Sequence, residues 1–135
     1  MPTDIWERCN AIEECYEFML AYAAQGLPSD DSSPRVREFL QRTTKALGGL
    51  ASCFATTVQE AGLEPIDRYL AFLDVLHRDA EDSLAAMELV LAQPAISSQL
   101  IDNLNASIHL RALLTDLFLL TEILRAQLTL AATTT

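Results

Sequence analysis

Apolar residues recur along this chain at alternating steps of four and three, the spacing that stacks side chains on one face of an α-helix. In the first run Ile5, Cys9, Ile12, Tyr16, Met19 and Ala23 follow one another without a miss. Trp6, Leu20 and Leu27 widen this stripe, and Glu13 lies within it. Asp4 followed by Glu7 has the form of a capping box. Gly26-Leu27-Pro28 has the form of a helix stop, with glycine in the left-handed position. Together they predict a first helix over residues 4–25.

A second run, Val36, Leu40, Thr43, Leu47, Leu50, Phe54, Thr57 and Ala61, predicts a helix over 34–61. Ser33 stands as its cap, and Pro34 takes the first helical position, where a missing N–H costs nothing. Gly48 and Gly49 fall on its outer side, each costing about 1 kcal/mol of helix propensity, so a local kink is expected there. Gly62, Leu63 and Pro65 repeat the earlier stop. A third helix, 65–92, then carries the seam Ile66, Tyr69, Leu73, Leu76, Ala80, Ser83, Met87 and Val90, beside the file Leu70, His77, Leu84 and Leu91. On its outer face Asp67, Asp74, Glu81 and Glu88 recur every seven residues as a solvated stripe, with Arg78 in pairing range of Asp74 and Asp82.

Ser97 or Ser98 caps a fourth helix, over 97–130. This helix has two apolar faces. Leu110, Leu113, Leu114, Leu117, Leu120, Leu124 and Leu128 form one. Ala112, Leu119, Ile123, Ala126 and Leu130 form the other, with His109, Asp116 and Gln127 on one of the seams between them. An ordinary surface helix needs a single stripe, so the second face calls for a partner. The polar run Asp102, Asn103, Asn105 and Ser107 sits where the apolar side changes. One long helix changing partners there is the expectation; a break near Asn105 is the alternative. The tail, residues 131–135, is expected to fray.

Composition narrows the class. The 135 residues fit a single domain, 1–135; half are apolar, while glycine and proline are scarce. A net charge of −10 argues against nucleic acid as a partner. The N-terminus has no cationic segment followed by an apolar run, so no secretory signal is expected. Arg111, Asp116, Glu122 and Arg125 interrupt the most apolar stretch, which argues against a membrane span. Three cysteines, Cys9, Cys15 and Cys53, form no C-x-x-C pair and read as reduced thiols of a cytoplasmic protein.

Chemistry was sought at several positions. A di-metal site of the ferritin type needs Glu-x-x-His on two helices; the nearest string is Asp74-x-x-His77, once, and Ala106 stands three before His109. A phosphotransfer histidine would sit in His-x-x-Lys-Gly, which neither histidine does. His77 replaces leucine in a leucine file and reads either as a boundary residue covering apolar surface or as a ligand contact. His109 offers the same choice, and Glu13 stands beside Trp6 and Leu20 without a second carboxylate. The basic cluster Arg35, Arg37, Arg42 and Lys45 is explained by ion pairing to Asp30, Asp31 or the first helix. No catalytic residue, metal or cofactor is assigned.

The sequence therefore predicts an all-α, antiparallel up-and-down four-helix bundle that forms a homodimer through its long last helix. Its expected role is that of a non-enzymatic adaptor, assembly factor or regulatory subunit, with another protein as a further partner. The alternative is a bundle holding a small molecule or metal between its helices through His77, Glu13 or His109.

Overall fold

The glycine stops and serine caps fix where this chain turns. The computed structural model describes residues 2–133, with side chains from Asp4 to Leu130, and contains six helices. These are α1 (Pro2–Ala24), α2 (Arg35–Leu47), α3 (Leu50–Glu60), α4 (Ile66–Leu91), α5 (Ser98–Ala106) and α6 (Ile108–Thr133). There is no strand among the described residues, and no described helix is long and apolar enough to cross a membrane.

Two of the four expected helices are broken in two. Gly48 leaves helical geometry at ψ 117°, and Gly49 takes φ +73°, a conformation open to glycine and strained for other residues. The expected kink is thus a full break. Arg8 takes up carbonyls near the break, donating to Ala46 O at 3.0 Å and to Gly48 O. Both pieces still run antiparallel along α1: Arg42 meets Glu14 at 2.6 Å on one side of the gap, and Cys53 meets Asp4 at 3.1 Å on the other. The second break replaces the expected long last helix. Ser107 ends α5 with extended backbone (ψ 146°), and its hydroxyl accepts the Leu110 N–H at 3.3 Å at the start of α6. One serine both terminates and restarts the helix.

Smaller differences have local causes. Asp4 is not a cap, because α1 begins at Pro2 and the Asp4 carboxylate accepts from Arg8 Nε at 3.0 Å. Pro34, rather than Ser33, precedes α2 without a side-chain cap bond. Ser97 does cap α5, accepting from Leu100 N–H, and Gly26 and Gly62 are left-handed as the stops require. α6 continues past 130 to Thr133; of the tail expected to fray, Thr134 and Thr135 lie outside the described residues.

The core forms along the predicted seams, with Ile12, Met19, Leu40, Phe54, Leu76 and Met87 all buried. α1 departs from its pattern. Leu20 is 48 % exposed, whereas Cys15 and the whole Tyr22 side chain are buried. The helix is covered on two sides, by α2 and by α5. α4 lies between α2–α3 and α6. It runs antiparallel to α6, with the Ser83 hydroxyl donating to His109 O at 3.0 Å toward one end and Phe72 and Ile123 lining one groove toward the other.

A buried polar clasp joins the chain reversals at one end. Arg37 donates to Asp30 at 2.7 Å, to Leu91 O at 3.0 Å and to Gln93 O at 2.8 Å. Asp30 also accepts the Ile96 N–H, and Ile96 O accepts the Tyr22 hydroxyl at 2.6 Å. Ser98 completes it, exchanging bonds with Leu27 and donating to Tyr22 O.

Candidate functional site

The leucine face of α6 is buried from Leu110 to Leu124, and Leu128 is half-buried. The opposite face is largely exposed. Leu119 is 50 % exposed, Ile123 37 % and Leu130 57 %, with Ala126 exposed and Ala112 half-buried. Phe118 exposes its ring to 54 % on a different flank of α6, at a pocket shared with Tyr16 and Asn105. Between α4 and α6, Leu119 and Ile123 border an apolar groove of about 270 Å³, lined also by Arg68, Tyr69, Phe72 and Leu120. Burying groups of this kind contributes on the order of 25 cal/mol per Å².

One polar side chain interrupts this side of α6. Asp116 continues the four-three file Ala112, Leu119, Ile123 and Ala126, yet it is only 6 % exposed. Its partner is another acid, Asp79 of α4, within hydrogen-bond reach across the seam. Burial and the Asp79 carboxylate push the Asp116 carboxyl up to about 7. Asp116 Oδ2 is buried with no protein donor reaching it. Two facing carboxylates on a partly buried seam repel each other, whereas a shared proton gives the pair one donor and one acceptor.

The residues singled out for ligand binding do not converge. His77 is exposed in an open groove between α3 and α4, near Ser52, Asp67 and Asp74. His109 is exposed at the α4–α6 seam, near Asp82 and Leu89. Glu13 is half-buried on α1. Among the described residues, no three His, Cys, Asp or Glu side chains come together in a way that would hold a metal. A small pocket of about 140 Å³ lies between α1, α5 and α6, bounded by Tyr16, Asn105, Arg111 and Phe118. Asn105 Oδ1 is buried there without a partner.

The thiols are held in the protonated form. Burial raises Cys9 to about 12 and raises Cys15, and Cys53 is raised by burial and by its bond to Asp4. The three arginines of the basic cluster engage in ion-pairing and ring contacts. Arg37 pairs with Asp30, Arg42 with Glu14, and Arg35 lies 5.4 Å from the Phe39 ring centroid. The acidic stripe Asp67, Asp74, Glu81 and Glu88 is exposed along its length. Arg78 forms no ion pair with Asp74 or Asp82 among the described residues.

Against known proteins, no family model, curated protein sequence or solved structure matches this chain.

Proposed function

We propose that this chain is a non-enzymatic helical-bundle module that pairs with a second copy of itself through the outer face of α6. In this reading α2–α3 and α5–α6 each act as one broken rod, so that α1, α2–α3, α4 and α6 make an up-and-down four-helix bundle. The dimer then presents surfaces to another protein, as an adaptor, assembly factor or regulatory subunit of the cytoplasm would.

The observation that carries the reading is the exposure of Leu119 and Ile123 beside the Tyr69–Phe72 groove. From Ala112 to Leu130 the face runs about 27 Å at 1.5 Å per residue. Two-fold pairing requires only one such face, because a ridge and an adjacent groove on one copy meet the groove and ridge of the other. Charge selects the place: each copy carries −10, so contact is least opposed where the acidic stripe is absent and Arg68 stands at the rim.

The test is a pair of double variants. Leu119→Glu with Ile123→Glu should give a folded monomer, whereas Leu117→Glu with Leu120→Glu should unfold, since both leucines are buried. Wild-type protein sedimenting as a monomer at micromolar concentration would defeat the proposal.

A further inference from the structure

Two files of residues meet on the outer side of α4 and α6. On α4 the file Phe72, Val75, Asp79, Asp82 and Ala86 repeats at three, four, three and four; on α6 Ala112, Asp116, Leu119 and Ile123 repeat at four, three and four. The antiparallel register that sets Ser83 against His109, and Phe72 against Ile123, brings Asp79 opposite Asp116 midway along the seam. The carboxyl pair is thus embedded in the border of the surface proposed to bind a second copy.

Few other charges stand near it. On α4, Asp82 is one turn away beside His109, and Arg78 points to solvent without an ion pair among the described residues. On α6, Arg111 lies at the pocket shared with α1 and α5, and Glu122 is exposed. α5 brings the uncharged Asn105 and an exposed Asp102, while α1 reaches α6 through Tyr16 and through Trp6, on which Arg125 rests at 5.7 Å. Asp79 is the charge that acts on the Asp116 carboxyl.

We propose that Asp79 and Asp116 form a proton-sharing pair that links self-association to pH, the dimer forming with uptake of protons from solvent. This rests on the self-association proposed above. Asp79 is half-buried in the single chain and retains some water. A second copy laid over Leu119 and Ile123 removes that water and brings another carboxyl pair close by. Both effects disfavour the doubly ionised state. Each copy therefore binds its shared proton more tightly in the dimer, and by linkage lower pH tightens the dimer. With at most two protons taken up per dimer, the association constant changes by at most about 100-fold per pH unit.

Sedimentation equilibrium of the full chain at about pH 5.5 and about pH 8, at fixed ionic strength, tests this. The dimer Kd should rise at least about tenfold at the higher pH. Asp116→Asn, which cannot ionise, should dimerise with a Kd that ignores pH; Asp79→Asn, which removes the facing charge, serves the same purpose if the first variant fails to fold. A wild-type dimer with the same Kd at both pH values overturns the proton link and leaves self-association standing. A wild-type monomer at every pH overturns both. Recovery of the tight dimer at about pH 8 by added manganese alone, lost in Asp116→Asn, would replace the proton by a divalent cation and overturn the proposal as stated.

Discussion

Removing Asp30 should do more damage than its place in a loop suggests. Its carboxylate joins two donors from different parts of the chain, the half-buried Arg37 guanidinium at 2.7 Å and the buried Ile96 N–H at 2.9 Å. The Asp30 side chain is 10 % exposed and that of Arg37 is 29 %, so the pair is neither a surface ion pair of about 0–1 kcal/mol nor a fully dry one of about 3–5 kcal/mol. We take about 2 kcal/mol for the pair and about 1 kcal/mol for the orphaned N–H. Asp30→Ala is then expected to destabilise the chain by about 3 kcal/mol. For a domain of this size, that corresponds to a loss of about 10 °C in Tm.

Two controls separate charge from geometry. Arg37 satisfies three acceptors from one planar group, and two of them are the carbonyls of Leu91 and Gln93. Arg37→Lys keeps the charge but cannot fork, so it should lose about 2 kcal/mol, roughly two-thirds of the loss in Asp30→Ala. The second control is pH. The Arg37 guanidinium, and then the Ile96 N–H, hold the Asp30 carboxyl below the usual carboxylate range. A depressed acid contributes stability that is fully present above its unfolded pKa and is lost as pH falls through its folded pKa. Wild-type Tm should therefore fall more steeply below about pH 4 than the Tm of Asp30→Ala. Calorimetry measures both quantities. A Tm change under about 3 °C, together with an unchanged acid slope, would refute the clasp as a stabilising element.

Two other substitutions probe the fold with smaller effects. Gly49→Ala meets no atom within 4 Å, so only the φ of +73° opposes it; the expected loss is about 1 kcal/mol by urea unfolding, and a gain would mean that the break closes into helix. Glu81→Gln lies on the exposed acidic stripe and should change stability by less than about 0.5 kcal/mol; a larger loss, tracked by the same urea curves, would mean that the stripe is covered.

The seams were legible because burial on one side imposes a period, and the period survives in the sequence. It survives even where the helix does not. Leu47, Leu50 and Phe54 keep the four-three rhythm across the break at Gly48 and Gly49, since both pieces lie on the same flank of α1. Periodicity was therefore blind to the break, and only the glycine pair signalled it. Ser107 was harder to read, because a serine inside a polar run looks the same whether it decorates a helix or caps one. Tyr22 and Cys15 were missed because they lie off the chosen stripe, on a second face of α1 that only the placement of α2 and α5 reveals. Leu20 was overcounted for the same reason.

The carboxyl pair shows a different limit. Asp116 was assigned to a polar seam, and Asp79 was one acid among many on α4. Each nevertheless occupies a position in an otherwise largely apolar four-three file, and that shared irregularity was the available signal. The sequence could not show that the two positions face each other, because the register between α4 and α6 depends on the break at Ser107. A continuous helix through Ser107 would carry the α5 rotation into α6 and displace Asp116 around its axis.

Two buried acids thus act in opposite directions at separate places. Asp30 is surrounded by donors, and its ionised form ties together the reversals between α1 and α2 and between α4 and α5. Asp116 meets another acid and a buried oxygen without a donor, so ionisation there strains the α4–α6 seam. For Asp116 the linkage sign reverses: with its native pKa raised, the stability it contributes is present below the unfolded value near 4 and is lost as pH rises to about 7. The clasp thus weakens in acid while the seam weakens towards neutrality. α5 is fastened at its start, where Ser98 joins the clasp, and the early part of α6 is tied to α4 by the Ser83–His109 bond. Beyond Asp116, α6 is held to α4 mainly by apolar contacts around Phe72 and Leu120, with Leu119 and Ile123 left uncovered. If α6 pairs with a second copy as proposed, the face it offers begins where its polar tie to α4 ends, at the Asp79–Asp116 pair.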